Sequence, residues 1–124
     1  MTIAEYVSHL NTLYITGHAR EHSYRGDLQT LMSTILPDVL VTNEPARVSC
    51  GAPDYMLTRK GVPVGYIEAK DIGVDLNSKS LKEQFDRYKA GLKNLVITDY
   101  LKFKFYKGRE FITEISIATW KMGR

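Results

Sequence analysis

The sequence predicts an α+β (α/β) domain built on a mixed β-sheet, and three observations carry that prediction. Two helical patterns precede the first strand, a third lies between strands, and the other segments are short β-branched and aromatic runs bounded by Gly, Pro and Asn. Written out, the order is ααβββαβββ. Strands flanking a helix in this way give a mixed sheet with helices packed on it.

Thr2-Ile3-Ala4-Glu5 is a capping box, and Ile3, Tyr6, Val7, Leu10, Leu13 and Tyr14 recur at helical spacing until Gly17. A second helix is expected from about Arg20 to Leu36, with Leu28, Leu31, Met32, Ile35 and Leu36 on one face and Pro37 closing it. At 100° per residue Glu21 falls in line with Leu28 and Met32, an expensive place for an acid unless something positive meets it. The alternative is a first-turn carboxylate favoured by the helix dipole and paired with Arg25 at i+4. Val39 to Thr42 reads as the first strand, which Arg47 to Ser49 continues or re-enters after Asn43-Glu44-Pro45. Tyr55 to Thr58 and Pro63 to Ala69, with Gly61 between them, read as an antiparallel hairpin. Ser80-Leu81-Lys82-Glu83 looks like a second capping box, opening a helix that Gly91 ends. Its apolar face is Leu81, Phe85, Tyr88 and Leu92; Lys82, Lys89 and Lys93 form a basic stripe, and Gln84 flanks the other side. Leu95 to Thr98 is a buried strand, and Lys102 to Tyr106 with Phe111 to Ile117 closes a terminal hairpin.

A chain of 124 residues that is 44% hydrophobic suits one domain over residues 1–124. No membrane span or secretory signal is visible, and the single cysteine, Cys50, excludes an internal disulfide framework; both features fit a cytoplasmic protein, with Cys50 a small packed hydrophobe. Net charge is +3, distributed as −1 over residues 1–70 and +4 over residues 71–124. The basic second half mildly favours a polyanionic partner.

The hairpin holds the residues with chemistry. If Gly61 is the centre of its turn, paired positions add to 122, and Asp54 lies opposite Glu68. Lys70, two residues on, shares that face by the period-2 alternation of a strand. Two carboxylates fixed by backbone pairing suit a hard cation such as Mg²⁺, with the Ala69 carbonyl able to add a ligand, and the ammonium can orient water or stabilise a phosphorane-like state. These parts together suit phosphodiester hydrolysis. The alternative is an edge hairpin with a surface Asp-Glu-Lys cluster.

Pro53-Asp54 followed by Glu68-Ala69-Lys70 resembles the PD-(D/E)xK nucleases, a restriction-endonuclease-like superfamily with an αβββαβ core, an acid in the first core helix, Pro-Asp on the second strand and Glu-x-Lys on the third. This chain resembles them over most of its length, with an extra N-terminal helix and a C-terminal β-hairpin. The resemblance implies that Asp54 and Glu68 bind Mg²⁺ (or Mn²⁺), that Lys70 is catalytic, and that Glu21 assists the metal site. Gln84 and Tyr88 match a Gln-x-x-x-Tyr pair that many members carry near the site. The phrases Glu21-His22-Ser23-Tyr24-Arg25, Asn43-Glu44-Pro45, Gly65-Tyr66-Ile67-Glu68-Ala69-Lys70-Asp71 and Thr98-Asp99-Tyr100 resemble the nuclease end of large fused restriction-modification enzymes. None of the helicase or methyltransferase parts is in this sequence, which leaves room for the chain to be a fragment of a larger protein.

The expected function is thus a Mg²⁺-dependent endonuclease acting on double-stranded DNA, as a homodimer or by fusion to methyltransferase or helicase domains. A structure-selective nuclease of the junction-resolving kind, an RNA-directed nuclease, and a catalytically silent nucleic-acid-binding domain are the alternatives. Lys82, Lys89 and Lys93 are candidate phosphate contacts or a solvated helix face. Lys102, Lys104 and Lys107 have the same two readings, with the solvated outer face of the terminal hairpin favoured; His9, His18 and His22 are expected at the surface or partly packed, and Trp120 over a core edge or at a point where a longer chain was cut.

Overall fold

Helix α1 (Ile3–Tyr14) starts where its capping box requires: the Glu5 N–H donates to the Thr2 hydroxyl at 3.1 Å and the Thr2 N–H to the Glu5 carboxylate at 2.8 Å. In the computed structural model, residues 1–118 are described, apart from the Glu21 side chain; the expectation for Trp120 falls outside the described residues.

The second helix is shorter than its periodicity predicts. Glu21–Tyr24 is a 3₁₀ turn, and α2 runs only from Arg25 to Ile35. Ser23 causes this locally. Its hydroxyl accepts the Arg20 N–H at 3.1 Å while its own N–H donates to the Arg20 carbonyl at 2.8 Å, an i→i+3 bond that tightens the turn. Glu21 therefore does not lie on the α2 wheel, and its expected alignment with Leu28 and Met32 does not apply.

β1 is Leu40–Asn43, and Gln29 of α2 donates to the Val41 carbonyl at 2.9 Å, seating the helix on the strand. The stretch 47–49 does not re-enter the sheet; Val48 and Gly51 form an isolated bridge. β2 (Tyr55–Arg59) and β3 (Val62–Ala69) make the central hairpin, whose turn differs from expectation. Lys60 and Gly61 both have positive φ, 51° and 78°, as a two-residue hairpin turn of type I′ requires. Arg59 pairs with Val62 and Thr58 with Pro63, so the pairing sum at the turn is 121. Val64 then bulges, its carbonyl taken by the Asn94 side chain at 2.9 Å, and Leu57↔Gly65, Met56↔Tyr66 and Tyr55↔Ile67 restore 122. Continued unbulged, a sum of 121 would have set Asp54 opposite Ile67, on the wrong face.

A crossover through α3 (Lys79–Gly91) joins β3 to the parallel β4 (Asn94–Thr98), and β5 (Lys102–Lys107) and β6 (Glu110–Ser116) follow antiparallel. The sheet order is β1-β2-β3-β4-β5-β6, and the class is α+β with a mixed sheet. The expected capping box at Ser80 does not form. Ser78 is the N-cap instead, with its hydroxyl 3.1 Å from that of Ser80. At the other end Gly91 admits Cys50, whose Cβ would lie 2.7 Å from any Cβ at that position.

One face of the sheet (Val41, Tyr55, Leu57, Ile67, Ala69, Phe103) packs on α1 and α2; the other (Leu95, Ile97, Tyr66, Tyr106) packs under α3 with Phe85, Tyr88 and Leu92. Among the described residues no helix is long and apolar enough to cross a membrane.

Candidate active site

Asp54 sits one residue before β2, and three neighbours set its position. Pro53 is fully buried, the Glu44 N–H donates to the Asp54 carbonyl at 2.7 Å, and Gly51, at φ 141°, passes so close to Tyr88 that a Cβ there would lie 2.7 Å from the ring. The restored register then does what the hairpin reading required. The Asp54 N–H donates to Glu68 Oε1 at 3.3 Å, and the Ala69 N–H donates to Asp54 Oδ2 at 2.8 Å. Lys70 continues the parallel ladder, its N–H donating to the Thr98 carbonyl at 2.8 Å, and its Nζ lies 3.2 Å from Glu68 Oε2 and 5.9 Å from the Phe85 ring centroid. Asp54, Glu68 and Lys70 thus meet on one face, the one that α3 covers with Phe85 and Tyr88.

Arg25 is the residue that sequence reasoning did not place there. Its Nη2 lies 2.5 Å from Asp54 Oδ1 and its Nη1 3.1 Å from Glu44 Oε1, with only 8% of the residue exposed, while its carbonyl accepts the Tyr55 hydroxyl at 3.0 Å. A signal existed: positions 25, 28 and 32 are spaced i, i+3, i+7, so the arginine shares the stripe of Leu28 and Met32. Nothing in the sequence marks Glu44 as its second partner.

Burial pushes the Glu68 carboxyl up to about 7; the adjacent Asp54 charge adds to this, and Lys70 opposes it. Two carboxylates forced together in a desolvated place are what a divalent cation neutralises, and the donor set is all oxygen. Mg²⁺ typically takes only one or two carboxylates, so these residues fit it although no group of three metal-ligating side chains occurs among the described residues. Ala69 is paired with Thr98 in the ladder. The Glu21 side chain lies outside what is described; its backbone opens the turn that leads into Arg25.

Tyr88 and Gln84 stand beside the site. Burial, and next the Glu68 charge, raise the Tyr88 phenol, and the neighbouring Gln84 side chain and Ala52 backbone oppose the shift. The basic stripe is divided. Lys82 pairs with Asp86 at 2.5 Å, Lys89 lies 4.3 Å over the Tyr106 ring, and Lys93 stands exposed beyond the helix end. Lys104 contradicts its expected solvated face: it is 8% exposed and donates to Asn77 Oδ1 at 2.5 Å. The Lys-Phe alternation of β5 is that of a strand covered on both sides. Lys107 is exposed, as are His9, His18 and His22.

No known protein-family profile matches this sequence, and no curated protein matches it. Among solved structures, it is similar to a chain in a cryoEM structure of a DrdV–DNA complex, with a TM-score of 0.75 at 18% sequence identity. The match covers 93% of this chain and 12% of that one. The likeness is one of fold, and the fold is restriction-endonuclease-like.

Proposed function

We propose that this chain is a PD-(D/E)xK endonuclease domain that hydrolyses phosphodiester bonds of double-stranded DNA with Mg²⁺, as the cleavage module of a restriction or restriction-modification system. The observation that carries this reading is the Ala69 N–H to Asp54 Oδ2 bond, which locks Asp54 beside Glu68 with Lys70 on the same face. Asp54 and Glu68 would hold the cation, with the Ala69 carbonyl and Glu21 as further donors, and once bound it supplies charge neutralisation at a phosphoryl oxygen and a more acidic water. Lys70 orients the attacking water and offsets charge on the phosphorus oxygens. As the water oxygen bonds to phosphorus the P–O3′ bond breaks, leaving the 5′-phosphate and 3′-hydroxyl that the resemblance implies. With the carboxylates ionised, Asp54, Glu68 and the Arg25-paired Glu44 outweigh Arg25 and Lys70, so an added dication removes the net negative charge that would repel a phosphodiester anion.

The DNA in the DrdV complex supports DNA as the substrate class, and the small share of that chain which this one spans supports a role as one module of a larger enzyme. Nicking of supercoiled plasmid in Mg²⁺ or Mn²⁺ tests the reading. Asp54→Ala and Lys70→Ala should each lower it about 10³-fold or more with the circular dichroism spectrum unchanged. Undiminished nicking by clean Asp54→Ala protein overturns it. One observation favours a second reading, a silent nucleic-acid-binding domain: Arg25 already satisfies Asp54 without a metal. Duplex binding with no turnover in either metal would select it.

A further inference from the structure

Four acidic or basic side chains are buried among the described residues: Arg25, Asp54, Glu68 and Lys104. Three of them build the active site. Lys104 lies apart from it on the same face of the sheet, in one row across the strands: Glu68 pairs with Ile97, Ile97 with Lys104, and Lys104 with Glu114. Two strand spacings put its Cα about 10 Å from that of Glu68. α3 covers the space between, with Gln84 and Tyr88 on the Glu68 side and Lys82 and Lys89 on the Lys104 side.

Lys104 lines a cavity of about 220 Å³ at this flank of α3. Lys79, Lys82 and Lys89 line it too, and Asp86 is its one lining carboxylate. Asp86 is taken by Lys82 at 2.5 Å. Lys104 has the neutral Asn77 amide oxygen at 2.5 Å and Glu114 only at 4.0 Å, so one of its three N–H donors is well used. Lys89 lies over an aromatic ring, and that cation–π contact leaves its ammonium donors open. Holding the Lys104 ammonium out of water is costly with its nearest carboxylate at 4.0 Å, and four lysines against Asp86 and Glu114 leave the cavity with an excess of positive charge.

We propose that this cavity binds a backbone phosphate of the nucleic acid, on the strand that runs from the Glu68 site over the N-terminal end of α3. The inference rests on the nuclease reading for its ligand but not for its geometry. A separation of about 10 Å corresponds to one or two phosphates along a strand, whose neighbouring phosphates lie roughly 6–7 Å apart, so the contact fixes the substrate within a few nucleotides of the scissile bond. A lysine there acts as a point charge, adding affinity without reading sequence.

Fluorescence anisotropy of a short labelled duplex in EDTA, between 50 and 200 mM salt, tests this without cleavage. Lys104→Met should weaken binding severalfold for any sequence and flatten the plot of log K against log salt by about 1. Lys79→Met, at an exposed position, should flatten it likewise and keeps the test valid if Lys104→Met fails to fold. Lys107→Met, exposed on β5 and outside the cavity, should leave the slope unchanged. An unchanged slope in Lys79→Met and in any folded Lys104→Met overturns the pocket, as does an equal loss in Lys107→Met, which would mean diffuse charge. Where wild-type protein binds the duplex and the variants give either result, the pocket alone falls. Should wild-type protein bind no duplex at any salt, the nucleic-acid reading falls with it.

Discussion

The two faces of the sheet are built to different rules. Under α1 and α2 the core is broad and rich in tyrosine, and its hydroxyls end on protein acceptors: Tyr6 donates to the Tyr100 carbonyl at 2.7 Å and Tyr55 to the Arg25 carbonyl at 3.0 Å. Burial raises the phenols of Tyr6, Tyr55 and Tyr100 above their ordinary range, so they stay neutral donors at any working pH. Under α3 the core is smaller, and its row of rungs carries Glu68 and Lys104 where a stable sheet would carry apolar residues. A buried acid and a buried lysine are poor ways to stabilise a domain, and they make sense as function supported by the other face. Among the described residues Arg25 crosses between the two, rooted in α2 and ending on Asp54.

Arg25 is therefore where the division breaks most readily. Arg25→Met strands a buried Asp54 carboxylate beside Glu68, and metal-free unfolding in urea should show a loss of about 3–5 kcal/mol. If the carboxylates are a cation site, Mg²⁺ should return more stability to this variant than to wild type, read as a larger rise in Tm on adding the metal. A loss below about 1 kcal/mol would mean that Arg25 does not join the faces.

Next in size is the pH dependence of Glu68. Below its ordinary 4.5 the carboxyl is protonated folded or unfolded; between 4.5 and about 7 only the folded protein keeps the proton. Raising pH through that window therefore costs stability, on the order of 3 kcal/mol in total, and above about 7 the loss is complete. The unfolding free energy of wild type minus that of Glu68→Gln, in EDTA, should fall from pH 4.5 to 7 and then level. A flat difference would mean that Glu68 is solvated and that the second face is less strained than its burial implies.

Most of the architecture is legible in the sequence because each element obeys one period: the order of helices and strands and the mixed sheet all follow from it. The hairpin register was legible at the site end for a reason that did not hold at the turn. Gly61 is not the turn centre, and the bulge at Val64 supplies the missing residue; a bulge is a property of the paired strands and of Asn94, thirty positions away, so neighbours in sequence do not announce it. The helical wheel puts Arg25 on the same stripe as Glu21, Leu28 and Met32; what it does not show is that Ser23 begins the segment as a 3₁₀ turn, which takes Glu21 off the α-helix and leaves Arg25 as the charged residue on that face. Lys104 escaped because alternation says which residues share a face but not whether a helix will cover it.

The smallest effect tests the first face alone. Tyr6 is wholly buried, and its hydroxyl ends on the backbone of Tyr100, in the loop that joins β4 to β5. Tyr6→Phe keeps the ring and removes the donor, leaving a carbonyl in an apolar place, at a cost of about 1–2 kcal/mol by urea unfolding. Plasmid nicking and duplex affinity should be unchanged below the unfolding transition, since this hydroxyl touches nothing on the α3 face. A loss of nicking at full foldedness would show that the loop between β4 and β5 sets the position of Lys70, whose N–H is held by the last residue of β4, and that the two faces are coupled through the sheet as well as through Arg25.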